Sequence, residues 1–185
     1  MNAIHEGLEG IAIGKSKITY IDGLKGQLIF RGHWVEELAT KRSFEEVAYL
    51  LLFGELPTPM DLAAFSKSMA DARELPQWIY PMLDLIPDEV SYMAALRTAM
   101  STMPLEKEHF PPEKEEAIRL IARAPVILAY LFNKRMGQPF VGPDPSLGHV
   151  DNYLYMLSGE RPAAEKVKLL ETYLVLSMDH SINAS

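Results

Sequence analysis

Five histidines, His5, His33, His109, His149 and His180, hold most of the potential chemistry in this sequence. An imidazole can move a proton near neutral pH, polarise a carbonyl or bind a metal. The spacing of these five matches no metal-binding motif, and there is no HExxH. There is no cysteine, which excludes thiolate metal sites and disulfides and fits a reducing compartment. No GxSxG, Walker loop or GxGxxG occurs either. Two of the histidines have distinctive settings. His149 follows "PDPSLG" at the start of a predicted helix, where free backbone N–H groups attract anions. His180 ends a long apolar helical run and opens "HSINAS". Burial, Asp179 and the helix terminus would all act on its pKa. A single histidine is more often structural or exposed than catalytic. The residue types alone reach no further than an α-helical domain.

The elements that position these residues can be read from periodicity. Ile11, Ile13, Ile18 and Tyr20 alternate with small or polar residues, "DGLKG" is a turn, and Leu28 and Phe30 resume the alternation. This predicts two or three short strands up to Gly32. Helical patterns then take over. Ser43 and Glu46 form a capping box before "FEEVAYLLLF", which Gly54 can end. Thr58 and Pro59 start a helix with Leu62, Phe65 and Met69 on one face. Ile79, Met82, Leu83 and Ile86 make another stripe, which Pro81 is expected to restrict or bend. Ser91 caps a helix with Met93, Leu96, Met100 and Met103 in a stripe. The longest periodic segment runs from Pro111 to Gly137, acidic at its start and basic at its end, and Pro125 predicts a kink within it. A Pro- and Gly-rich loop, Gln138 to Gly148, leads into "HVDNYLYML". The turn "SGERP" then leads into "AAEKVKLLETYLVLSMDH", the last helix.

At 185 residues the chain is one domain or a large piece of one. Its 48% hydrophobic content suffices for a sizeable core. The formal net charge of −7 argues against a nucleic-acid backbone as partner, since phosphate binding needs clustered Lys and Arg. A small anionic substrate remains compatible, because a pocket can be basic on an acidic protein. The start has no signal-peptide pattern. The longest apolar run, Val126 to Phe132, is too short to span a bilayer.

Across almost its whole length the sequence resembles the citrate synthase family. The resemblance is carried by "YIDGLKGQLIFRG", "FEEVAYLLLFGELPT", "AALRTAMS", "GHVDNYLYMLSGERP" and "MDHSINAS", in that order. The last resembles the family's D-H-x-x-N-A-S segment. The resemblance implies a mainly α fold, a citrate-synthase-like large-domain helical bundle with a short β segment over residues 1–32 and helices over 33–185. It implies condensation of acetyl-CoA with oxaloacetate to citrate and CoA. His180 matches the catalytic His that stabilises the enol formed from the acyl group, a step that needs a preorganised donor. His149 matches the substrate-binding His that orients and polarises oxaloacetate. Arg31 and Asn183 match positions read as mainly structural, and His5, His33 and His109 receive no role.

The resemblance also implies no covalently bound cofactor and no metal. It further implies a homodimer through large-domain helices such as the one around Met93, no nucleic-acid or membrane partner, and a place in the tricarboxylic acid cycle of a bacterial cytoplasm. In the family roughly as much chain again follows D-H-x-x-N-A-S. That part carries the second catalytic His, the Asp base, the substrate arginines and the small CoA-binding domain. The 185 residues are therefore expected to be inactive alone, since losing members of a catalytic unit is strongly non-additive. Two alternatives are 2-methylcitrate synthase, using propionyl-CoA, and a non-catalytic helical interaction module.

Overall fold

The computed structural model describes residues 14–103 and 113–180. Ile11, Ile13, His5, His109 and Asn183 lie outside the described residues. Strands β1 (Thr19–Asp22), β2 (Gln27–Phe30) and β3 (His33–Trp34) form an antiparallel sheet in that order. Tyr20 faces Ile29, and Ile29 faces Trp34. Asp22 Oδ1 accepts the Lys25 N–H at 3.1 Å and Gly26 takes φ +64°, so "DGLKG" turns as its composition requires. The ladder runs two residues past the expected boundary at Gly32. Gly32 itself, at φ +89°, makes the tight reversal into β3.

Eight helices follow among the described residues: α1 (Val35–Lys41), α2 (Phe44–Phe53), α3 (Pro59–Asp71), α4 (Ile79–Asp84), α5 (Tyr92–Ser101), α6 (Lys114–Arg135), α7 (His149–Ser158) and α8 (Ala164–Leu176). The start of α2 is the capping box read from sequence. Ser43 Oγ accepts the Glu46 N–H at 3.2 Å, and Glu46 Oε2 accepts the Ser43 N–H at 2.8 Å. Gly54, at φ +98°, ends it. Thr58 and Asp61 cap α3 in the same way, and Ser91 caps α5.

The long helix α6 is the central post, packed by α3, α5 and α7. Val126, Ile127 and Leu131 on α6 are fully buried against Leu75, Ile79, Leu83 and Met156. Pro125 lies inside α6, which stays one helix from Lys114 to Arg135. The missing N–H removes one helical bond, and the buried residues on either side hold the two halves in place. Phe30, Val35, Leu38, Leu50 and Val175 form a second core joining the sheet to α1, α2 and α8.

Two expectations are refined. Pro81 is the third residue of α4, in the first turn, where its missing N–H would have had no helical partner. The helix around it is short, and α4 ends at Asp84, where Lys134 Nζ donates to the Leu83, Asp84 and Ile86 carbonyls. On α5 the stripe packs inward except at its start: Met103 is buried, and Leu96 and Met100 pack against the same core. Ala95 and Ala99 are buried against α6 while Met93 is 73% exposed. The small side chains of Ala95 and Ala99 leave room for close approach, and the longer ones beside them fill the rest of the contact. No helix among the described residues is long and apolar enough to cross a membrane.

Candidate active site

His149 is the first residue of α7, as its position after "PDPSLG" predicts. Its surroundings come from α2. Phe44 and Glu45 are the first two residues of that helix. The Phe44 ring stacks on the imidazole with centroids 4.4 Å apart and planes 12° from parallel. Glu45 Oε1 accepts the His149 backbone N–H at 2.7 Å. The free amide at the α7 start, expected to attract an external anion, is thus taken by the protein's own carboxylate. Gly148 makes room for this. A Cβ there would meet Glu45 Oε1 at 3.3 Å and Asp151 Oδ2 at 3.2 Å.

The seat is nearly dry. His149 is 7% exposed, Glu45 8% and Arg73 2%. Burial, reinforced by the positive charge of Arg73, pulls the His149 pKa down to about 4. The ring is therefore neutral at physiological pH. Its Nδ1 is buried without a hydrogen-bond partner. Burial also raises the pKa of Glu45, opposed by the His149 N–H. Arg73 Nη1 donates to the Asp144 carbonyl at 3.0 Å, and the Asp144 N–H donates to Asn152 Oδ1 at 2.8 Å. The Pro- and Gly-rich loop is thereby tied to the segment after α3 and to α7.

His180 is exposed and stands beyond α8, which ends at Leu176. The expectation that it ends a helix is corrected: the Ser177 N–H closes the last turn, and the chain leaves the helix before His180. Thr19 Oγ1 donates to Asp179 Oδ2, so β1 pins the segment. His180 borders a depression with Ile21, Gly23, Gly26, Leu28 and Leu176. Among the described residues no hydrogen bond or ring contact joins His149 to His180. Phe44 links their surroundings. Besides stacking on His149, it lines an apolar cavity of about 440 Å³ with Leu51, Ile121, Leu174, Met178 and Asp179, the last being next to His180.

Sequence reasoning missed Phe44, Glu45 and Arg73. One signal existed for Glu45. The capping box uses Glu46, which leaves an acidic neighbour without a task on a helix read as buried on most sides. Arg73 had no such signal. Arg31 Nη2 donates to the Leu51 carbonyl at 3.0 Å, and its Nε is buried without a hydrogen-bond partner. Chemically, a neutral buried imidazole can donate one hydrogen bond to a carbonyl and polarise it. An exposed histidine above a depression can meet a second bound group. Among the described residues no group of three or more His, Asp or Glu side chains is placed to hold a metal ion.

A family model described as citrate synthase, C-terminal domain, matches residues 7–185. The chain is 40% identical to a citrate synthase of Haloferax volcanii, over 98% of this chain and 50% of the relative. It is 34% identical to a 2-methylcitrate synthase of Mycobacterium tuberculosis, over 98% of this chain and 47% of the relative. Among solved structures, citrate synthase from Thermotoga maritima superposes with a TM-score of 0.87 at 42% identity, covering 98% of this chain and 48% of that one. A citrate synthase from the thermophilic archaeon Thermoplasma acidophilum, solved as a ternary complex with carboxymethyl coenzyme A and oxaloacetate, superposes with a TM-score of 0.89 at 28% identity, over 100% of this chain and 50% of that one. The chain spans about half the length of the relatives it matches.

Proposed function

Because the chain belongs to the citrate synthase family, we propose that the protein carrying it condenses acetyl-CoA with oxaloacetate and water to give citrate and free CoA. His149 binds oxaloacetate and polarises its keto group. His180 donates a hydrogen bond to the oxygen of the enol formed from the acetyl group. The proton acceptor for the methyl group, the second histidine and the carboxylate-holding arginines are placed by the resemblance in the half of the family's length that this chain does not span. The observation that carries the reading is the family match over residues 7–185, with a citrate synthase relative at 40% identity. His149 is buried, and burial keeps it neutral. Neutrality suits the task, since a neutral donor polarises a carbonyl without first losing a charge to solvent.

The test is release of CoA thiol from acetyl-CoA and oxaloacetate by the complete polypeptide of the reading frame. His180→Gln is expected to lower kcat by about 10²- to 10⁴-fold, with the oxaloacetate KM little changed. His149→Ala should raise the oxaloacetate KM. The 185 residues by themselves should show no turnover. A complete polypeptide that releases no CoA thiol would overturn the assignment.

The acyl group has a second reading, favoured by the likeness to a 2-methylcitrate synthase. One methylene is worth about 1–3 kcal/mol in a pocket, so the ratio of kcat/KM for acetyl-CoA and propionyl-CoA decides it. The reading further places the protein in the cytoplasm, in the tricarboxylic acid cycle, as a homodimer without a covalently bound cofactor or metal.

A further inference from the structure

Strand β1 reaches the residue before His180. Thr19 Oγ1 donates to Asp179 Oδ2, across 160 positions of sequence. The segment bearing the histidine has few other ties. Helix α8 ends at Leu176, and among the described residues the last backbone N–H to turn back on it is that of Met178, 3.4 Å from the Val175 carbonyl. The Met178 side chain packs against two of the cores. Asp179 and His180 lie beyond both anchors. The strand that supplies the hydroxyl is itself held. Beside Thr19, the Ile18 carbonyl accepts the Arg31 N–H at 2.7 Å. Arg31 takes φ +49°, a left-handed conformation that a Cβ disfavours. Such strain persists where the surroundings fix it, and here the Arg31 guanidinium is bonded to the Leu51 carbonyl of α2. Thr19 thus projects from a backbone tied to both β2 and α2. The same two strands supply Ile21 and Leu28 to the depression that His180 borders.

From this geometry we infer that Thr19 is a positioning residue for His180: its hydroxyl fixes the Asp179 carboxylate and so sets the backbone from which the imidazole projects. The inference rests on the reading of His180 as a residue of the reaction site. A backbone free to turn at Asp179 would let the ring take many orientations, and a misplacement of about 1 Å can cost about 10²-fold in rate. A hydrogen bond to a carboxylate is among the stronger neutral-donor bonds, which suits it to hold a segment that has left its helix. The hydroxyl comes from the far side of the fold, so it can be removed without altering the segment it holds.

The test compares Thr19→Val and Thr19→Ser in the complete polypeptide. Valine keeps the shape of the side chain and removes the hydroxyl, whereas serine keeps the hydroxyl. Thr19→Val is expected to lower kcat/KM about tenfold or more, the range for losing a charge-assisted hydrogen bond. Thr19→Ser should recover most of the loss. Thr58→Val, which removes the hydroxyl that caps α3, controls for stability. It should lower the melting temperature by a similar amount and leave kcat/KM within about twofold.

Amide hydrogen exchange read by mass spectrometry gives a readout independent of turnover. A peptide covering residues 177–180 should exchange faster in Thr19→Val than in the unsubstituted protein, and at the unsubstituted rate in Thr19→Ser. A folded Thr19→Val protein with unchanged kcat/KM would overturn the inference, and so would a Thr19→Ser protein as slow as the valine variant. If Thr19→Val does not fold, Asp179→Ala removes the same bond from its other side, and unchanged kcat/KM and exchange in that variant overturn the inference equally. An unsubstituted protein without turnover would sink the functional reading, and exchange over residues 177–180 would still decide whether Thr19 holds the segment.

Discussion

Protonating His149 means placing a charge in a nearly dry seat beside Arg73, and the folded protein resists it down to about pH 4. The ordinary value is 6.5. Between these two values the unfolded chain binds a proton that the folded chain does not. Stability from this site is complete above pH 6.5 and is lost as pH falls through the window to about 4, by about 3 kcal/mol. Glu45 acts with the opposite sign. Its folded pKa is raised, so its contribution is complete below 4.5 and diminishes as pH rises through the folded value. The two groups therefore oppose each other in the acid range. The His149 share can be isolated with His149→Gln. Urea unfolding should show a stability gap between the two proteins that is about 3 kcal/mol smaller at pH 4 than at pH 7. A gap that does not change with pH would mean that the ring is not buried neutral.

At the scale of elements, the short first turn of α2 does more than start a helix. Ser43 and Glu46 satisfy each other's backbone N–H groups, and Phe44 and Glu45 between them hold α7. Ser43→Ala should cost about 1 kcal/mol of stability in thermal or urea melts. It should also disturb His149 more than loss of the cap at α3, since this turn touches His149 directly. The face of α5 gives a second test. Ala99 is fully buried against α6, so Ala99→Leu should overpack the contact and cost about 1–3 kcal/mol. Met93→Ala, on the 73% exposed side, should change stability by about 0.5 kcal/mol or less. The reverse order would mean that Met93 faces the core and Ala99 does not. Met93 departs from the rest of its stripe because periodicity says which residues share a face, while the neighbouring elements decide how much of that face is covered.

At the scale of the whole molecule, α8 carries Leu169, Tyr173 and Leu176 at helical spacing, 74%, 66% and 43% exposed. A contiguous apolar stripe of this kind marks an association surface. The 185-residue polypeptide should therefore sediment as a concentration-dependent mixture of species. Leu169→Glu combined with Tyr173→Glu should move it toward the monomer. Sedimentation unaffected by both changes would mean that the stripe is not sticky in water. The homodimer proposed for the complete protein is a separate matter, for which the exposed Met93 on α5 is a candidate contact residue.

Local signals decided much of this protein. The caps at Ser43, Thr58 and Ser91, the turn at Asp22–Gly26 and the start of α7 at His149 were legible because each depends on residues a few positions apart. The family was legible from the order of its blocks, and with it the interest of His149 and His180. What the sequence could not show is what lies across space. The end of α8 at Leu176, the exposure of Met93 and the grip of Phe44 and Glu45 on His149 depend on contacts between distant segments. A carboxylate in "FEEV" reads as an ordinary first-turn acid until folding places it at the N-terminus of another helix. Only the tertiary structure removes water from that meeting, and the removal of water keeps His149 neutral and makes the Glu45 bond worth having.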